Sequence, residues 1–193
     1  MSATSTPYGA RPIGTLGGGG SWNSKVRHIP IASAYDTAIF YGDFVKGVAA
    51  GGVEKDTGTT TLTPCGIFLG CFYTEPTTKV PTFNKQWPAD LAASDAVAYV
   101  LDDPFVIFTM QGDSPALAAT ARLGNVGVTQ TAGSTSIGMS KNDVNITDLA
   151  TTNTLPLKII GFTDGPLDSV GDTYTDTICM FNVGHQYLNT TGV

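Results

Sequence analysis

Short apolar runs recur along the chain from Val26 onward, separated by Gly, Asp, Asn and Pro. β-branched and aromatic residues dominate these runs, which is typical of β-strands. One run, GIFLGCFYT at 66–74, is apolar at almost every position, which predicts a central strand buried on both faces. The other predicted strands lie in VRHIPIA, TAIFYGDFVKGVA, AVAYVLDD, FVIFTMQGD, VGVTQT, LPLKIIGFTD and YTDTICMFNV.

Helical signals are few. Residues 88–96 could form a turn or two, and residues 114–124 combine a capping serine, a proline at the first helical position and a closing glycine. The stretch 124–145 is rich in Gly, Ser and Thr and predicts an exposed loop, and 147–152 predicts at most one helical turn. The pattern predicts a mainly β protein: a single compact β-barrel or β-sandwich domain with an extended N-terminal arm and one or two short helices.

The first two dozen residues differ from the rest. Prolines at Pro7 and Pro12 and a run of four glycines at 17–20 leave little apolar mass there. Such chain has high conformational freedom and forms no core by itself. We therefore divide the chain into an extended N-terminal arm over 1–24 and a β-rich domain over 25–193.

Composition and charge narrow the function classes. Charged residues make up 13% of the 193 residues, about half the usual share, which suggests that neighbours cover part of the surface. The net charge is −6 and the ten basic residues form no stripe, so nucleic acid is not an expected partner. No apolar window reaches the ~18 residues that span a bilayer, and the N-terminus lacks a signal-peptide pattern. We expect no membrane partner and assembly in a cytoplasm.

Catalytic and metal-binding signals are weak. The segment GSTSIGMSK (133–141) has glycines at phosphate-loop spacing, but Met139 stands where that loop needs lysine. Aspartates recur every fourth residue over 164–176, yet glycine and proline between them exclude a helical acidic face. His28 and His185 lie near opposite ends of the chain with no nucleophile elbow. We predict no enzyme, no cofactor and no metal site, and buried reduced thiols at the three cysteines.

Several segments occur in an order that resembles a known family: IFYGDFVK, GIFLGCFYTE, WPAD, DAVAYVLDDPFVIFTMQGD, LPLKIIGF and FNVGHQY. They are similar to small virion proteins of tailed bacteriophages, many of them marine, that look like head decoration or cement proteins. The resemblance covers about residues 26–187. It implies a structural protein on the outer head surface of the virion that clamps adjacent capsomers. The implied partners are the major capsid protein and the chain itself, as a homotrimer.

The arm would then dock on neighbouring capsid subunits, adding a strand to an exposed sheet edge. Aromatic and arginine side chains are enriched among interface hot spots. The candidate anchors are Tyr8, Arg11, Ile13, Leu16 and Trp22. On this hypothesis, removing residues 1–24 leaves a soluble β domain that no longer binds capsids.

Three alternatives stay open. The chain could be another virion component, such as a tail-tube, head-fibre or head–tail joining protein. It could be a carbohydrate-binding β module in which Trp22, Trp87 and the tyrosines form stacking platforms. It could also be a hydrolase whose site the sequence does not reveal, and His28 and His185 are the candidates for a histidine-based version.

Overall fold

The computed structural model describes residues 4–17, 22–163, 165, 169–182, 184–188 and 192. Fourteen strands lie in this part of the chain. Their bounds are β1 (Arg11–Thr15), β2 (Val26–Pro30), β3 (Ile39–Phe40), β4 (Phe44–Gly47), β5 (Val53–Lys55), β6 (Gly66–Thr74), β7 (Pro81–Asn84), β8 (Gln86–Trp87), β9 (Val97–Leu101), β10 (Val106–Gln111), β11 (Asn125–Thr129), β12 (Asp143–Ala150), β13 (Leu157–Phe162) and β14 (Asp176–Phe181).

The strands form two six-stranded antiparallel sheets and one short pair. The first sheet has the order β1-β10-β14-β13-β11-β12. The second has the order β2-β9-β6-β4-β5, with β7 also paired to β6, and β3 pairs with β8. The predicted mainly β fold is confirmed, and β6 is a central strand as its apolar sequence indicated.

The main hydrophobic core lies between the two large sheets. Phe44 of the second sheet meets Phe108 and Phe181 of the first, with ring centroids 5.7 Å apart in both cases. Ile67 and Leu101 of the second sheet are also fully buried in this core. Each such side chain contributes about 1.5–3 kcal/mol on burial, so this contact joins the sheets into one domain.

A second core covers the opposite face of the second sheet. Val45, Phe68 and Val100 each adjoin a residue of the main core in sequence, and neighbouring residues of a strand point to opposite faces. The fully buried Trp87 closes this core, and its indole N–H donates to the Tyr35 carbonyl at 3.2 Å. Burial on both faces explains why β6 is apolar throughout.

The predicted helices are reduced to short 3₁₀ turns. Among the described residues the helical segments are Trp22–Lys25, Ala119–Ala121 and Gln186–Leu188. The prediction of a helix over 114–124 is wrong beyond its single turn. Leu117 is buried there, its N–H donates to Asp172 O (3.4 Å), and its carbonyl accepts from Gly171 N–H (2.9 Å).

Contacts between distant segments also explain two other differences between the sequence prediction and the structure. Residues 88–96 form turns, because Asp90 N–H donates to Tyr35 O and Leu91 O accepts from Ala34 N–H, both at 2.9 Å. The loop expected up to residue 145 ends earlier, and 143–150 form β12 instead of a helical turn. Within that loop, residues 131–132 and 135–137 are exposed, and Gly133 and Ser134 are partly buried.

The N-terminal segment differs from the expectation of an arm extending away from the domain. β1 lies within the predicted 1–24 arm and pairs antiparallel with β10. Ala10 and Pro12 are buried, and Trp22 packs against the main core. Residues 4–17 therefore belong to the same packed unit as the rest of the chain. Residues 1–3 and 18–21 of the arm lie outside the described residues.

Candidate interaction surface

β1 forms one edge of the first sheet. Its register on β10 runs from Arg11 opposite Thr109 to Thr15 opposite Val106, and Leu16 N–H continues it by donating to Phe105 O at 2.8 Å. In an edge strand, alternate backbone N–H and C=O groups point away from the neighbouring strand. Sheet edges of this kind are where a further strand can add.

Three large apolar side chains are exposed at this edge. Ile13 is 47% exposed, Leu16 51% and Phe105 50%. Leu16 and Phe105 are directly opposite in the register, so their side chains share one face. Ile13 is the extra residue where the register shifts between Pro12 and Gly14, a bulge that turns its side chain outward. We call Ile13, Leu16 and Phe105 the β1 patch.

Tyr8 and Arg11 lie just before and at the start of β1. The Arg11 guanidinium carbon is 4.2 Å from the centroid of the Tyr8 ring, a stacked cation–π contact. Tyr8 is half-buried, and its burial raises the pKa of the phenol above the usual range, while the hydrogen bond with Thr109 acts to lower it. Tyr8 is thus held by its own domain, and Arg11 is exposed.

The five predicted anchors therefore fall into two groups by their exposure. Arg11, Ile13 and Leu16 are exposed, whereas Tyr8 is half-buried and Trp22 packs on the main core. Phe105 belongs to the surface but was not among the predicted residues. Its position directly after the turn LDDP, at the end of the β9–β10 connection, is the sequence feature that could have indicated it.

Backbone hydrogen bonds hold the segment before β1 in place. Gly9 N–H donates to Asn142 O at 3.1 Å and Ala10 N–H donates to Gly42 O at 2.9 Å. Gly9 has φ +74°, and a Cβ there would lie 2.5 Å from the Ser140 Cβ. Glycine is required at this close approach, which fixes the entry of the chain into β1.

His185 and the nearby Cys65 do not form an activated nucleophilic pair. His185 is fully buried, its Nδ1 accepts from Tyr187 N–H at 3.3 Å, and burial lowers its pKa to about 4. Burial, with a smaller effect of Asp102, raises the pKa of the nearby Cys65 thiol to about 12. A protonated thiol near a neutral imidazole is not an activated pair. His28 lies exposed on β2, its ring centroid 4.5 Å from that of Tyr99.

The two adjacent carboxylates of the segment LDDP, Asp102 and Asp103, each form an ion pair with a basic side chain. Arg27 Nε lies 2.6 Å from Asp102 Oδ2, which also accepts from the Tyr187 hydroxyl at 2.8 Å, and Lys25 pairs with Asp103. These contacts join β2 to the β9–β10 connection around a cleft of about 390 Å³. Within the described ranges, no group of three or more His, Cys, Asp or Glu could hold a metal ion. Asp164 and Asp168 of the acidic series lie outside those ranges.

The predicted sugar-stacking tryptophans are not exposed platforms. Trp87 is fully buried and Trp22 packs on the core. An aromatic row does lie on the surface of the second sheet, where Phe83 is 63% exposed and its ring centroid is 5.2 Å from that of Tyr99, next to His28.

No family model, curated protein or solved structure matches the chain. In the part of the chain that the structure describes, no helix is long and apolar enough to cross a membrane.

Proposed function

We propose that the chain is a structural virion protein, a capsid decoration (cement) protein that binds the outer surface of a phage head and clamps adjacent capsomers. The observation that carries the proposal is the edge strand β1 with its apolar β1 patch. Strand addition gives affinity through main-chain hydrogen bonds, and the side chains beside it give specificity. The major capsid protein is the proposed partner, and its strand would lie along β1.

Physical considerations support a binding role at this edge. An edge strand beside exposed apolar side chains favours association with another chain, and monomeric proteins usually protect such edges. The β1 patch has no aspartate, glutamate or lysine among its three residues. Each main-chain hydrogen bond contributes about 0.5–1.5 kcal/mol, and burying the patch contributes further. The role needs no catalysis, cofactor or metal, and a homotrimer on the lattice would multiply the contacts.

Copy number tests the proposal directly. Quantitative mass spectrometry of purified particles of the virus that encodes the chain should find it in numbers similar to the major capsid protein. A few copies per particle would instead indicate a tail-tube, head-fibre or head–tail joining protein. Absence from particles would overturn the virion role altogether.

The docking edge is tested with point variants, since deleting residues 1–24 would also remove the buried Ala10 and Pro12 and destabilise the domain. Ile13→Asp combined with Leu16→Asp places charge in the patch and should reduce particle occupancy about tenfold or more, at unchanged melting temperature. Val80→Asp is the matched control, because Val80 is 55% exposed outside the first sheet. Equal occupancy of both variants would exclude docking through β1.

One observation favours a second candidate, a carbohydrate-binding module. In the row of Phe83, Tyr99 and His28, the outer two rings are exposed and the Tyr99 ring between them is partly buried. Glycan-array binding that is lost in Phe83→Ala, with the chain absent from virions, would favour this function over the first.

A further inference from the structure

A pocket of about 420 Å³ lies between the segment preceding β1 and the loop preceding β12. Tyr8, Ile137 and Met139 are among the residues that give it an apolar surface. Arg11 and Lys141 also line it, and both are exposed. Apolar groups and two cations therefore border the same space, so the pocket offers two kinds of contact to one ligand.

The charge of this pocket is opposite to that of the protein. The chain has ten basic and sixteen acidic residues, yet none of the pocket-lining residues is acidic. The ion pairs among the described residues use Lys25, Arg27 and Lys55. Asp176 interacts with the Tyr8 phenol but does not line the pocket. The two cations thus have no acidic side chain within the pocket to neutralise them.

Both walls are held in place before any ligand binds. On one side Arg11 stacks on Tyr8, which leaves the edge of the guanidinium available for hydrogen bonds. On the other side Tyr41 fixes the loop, because its N–H donates to Gly138 O at 3.0 Å and its carbonyl accepts from Ser140 N–H at 2.9 Å. The backbone of the loop and the Arg11 stack are therefore in place before a ligand binds, which lowers the entropy lost on binding.

We propose that this pocket binds a carboxylate carried by an apolar group, as in an acidic residue or a free C-terminus of a peptide segment. The carboxylate accepts charge-assisted hydrogen bonds from Arg11 and Lys141, and the adjoining apolar group contacts Ile137 and Met139. A fully hydrated phosphate would leave the apolar surface without a partner. Arg11 is also the first residue of β1, so a strand added to that edge ends beside the pocket. The site goes beyond the proposed virion role and does not require it.

The test is a two-dimensional amide NMR titration of the full chain, following the signals of residues 5–11 and 137–141. Four probes are compared: the peptides acetyl-Leu-Glu-Leu-amide, acetyl-Leu-Gln-Leu with a free C-terminus and acetyl-Leu-Gln-Leu-amide, and inorganic phosphate. One or both of the first two should bind about tenfold or more tightly than the uncharged peptide, and more tightly than phosphate. Binding of only one of them shows whether a side chain or a C-terminus is recognised.

Amino-acid substitutions test whether Arg11 and Lys141 bind the carboxylate. Arg11→Gln combined with Lys141→Gln should abolish the preference for a carboxylate, and Lys85→Gln, a control at another exposed lysine, should retain it. Binding of both carboxylate peptides no tighter than that of the uncharged peptide, equal binding of phosphate, or an unchanged preference in the double variant would overturn the proposal. None of these outcomes depends on capsid binding, so the proposed function is tested separately.

Discussion

Asp43 and Lys55 form an ion pair inside the domain, with Lys55 Nζ 2.9 Å from Asp43 Oδ2. The aspartate side chain is fully buried and the lysine side chain is 10% exposed. Asp43 also accepts from Phe40 N–H at 2.9 Å and from the Asn142 side-chain amide at 3.2 Å. Since Asn142 O in turn accepts from Gly9 N–H, this network supports the segment that leads into β1.

Replacing one member of the pair should therefore be strongly destabilising. Asp43→Asn leaves the Lys55 ammonium buried without a counter-ion, and we expect the free energy of unfolding in urea to fall by about 3–5 kcal/mol. Asp90→Asn is the control: Asp90 is exposed with φ 60°, a conformation that asparagine tolerates, and we expect a change within about 0.5 kcal/mol. A loss below about 1 kcal/mol for Asp43→Asn would show that solvent reaches the lysine.

Gly9 should control how firmly the N-terminal segment is held. In Gly9→Ala the new Cβ meets Ser140 and lies 2.8 Å from the Gly42 carbonyl oxygen, so the backbone must shift. We expect a loss of about 1–3 kcal/mol in stability and faster amide exchange over residues 8–16 by hydrogen–deuterium exchange mass spectrometry. Gly17→Ala is the matched control, because Gly17 also has positive φ but open space around its Cβ position. Equal exchange in the two variants would contradict a steric role for Gly9.

The parts of the fold that the sequence predicted are those where local pattern and tertiary structure agree. β6 is apolar on both faces because it is covered on both faces, so its run alone identified it. β12 was not predicted because Asp143, Asn145 and Asp148 resemble loop composition, although Val144 and Ile146 alternate with them and are buried. Two alternating apolar positions are too few to distinguish such a polar edge strand from a loop.

The interaction surface also depends on tertiary contacts that the sequence pattern does not reveal. Pro12 and Gly14 argue against a strand, yet an edge strand with a bulge tolerates both, and only pairing with β10 reveals β1. The predicted Arg11, Ile13 and Leu16 are exposed, whereas Trp22 packs partly buried on the core. The sequence did not distinguish these cases, because a tryptophan beside glycines reads equally well as an anchor or as core. The pocket joins residues 11 and 141, a pairing that only the tertiary structure brings about.

Asp143 should make the protein less stable as the pH rises. Burial, and secondarily the nearby charge of Asp113, raises its pKa from 3.8 to about 6, and its Oδ1 has no hydrogen-bond partner among the described residues. A raised carboxyl pKa gives a stabilising contribution that is complete below pH ~4 and is lost as the pH rises through ~6. Asp143→Asn is neutral at every pH, so it should be about 1–2 kcal/mol more stable than the parent at pH 7.

This difference should vanish near pH 4, and the comparison of urea midpoints at pH 4 and pH 7 measures it. The exposed Asp90→Asn serves as the matched control. If Asp143→Asn were less stable at pH 7 than the parent, the ionised carboxylate would have to be well solvated or paired in the native protein.

His185 should make the protein less stable as the pH falls, which is the opposite of the effect of Asp143, over an overlapping pH range. Burial lowers its pKa from 6.5 to about 4, against smaller opposing effects of the Cys65 backbone and Asp103. The neutral imidazole is favoured in the fold, so its contribution to stability is present above pH ~6.5 and is lost as the pH falls through ~4. The full effect is on the order of 3 kcal/mol. It is best measured in the Asp143→Asn variant, where the opposing titration is absent.

The titration itself can be observed directly, because the chain has two histidines and His28→Gln leaves only one. The imidazole proton signals of His185 should then titrate by NMR with a midpoint near pH 4, and urea stability should fall over the same range. His185→Phe keeps an aromatic ring beside Phe181 and Tyr187 but cannot be protonated, so its stability should lose this pH dependence. A midpoint near 6.5 would mean that the turn Gln186–Leu188 opens and admits water to the imidazole.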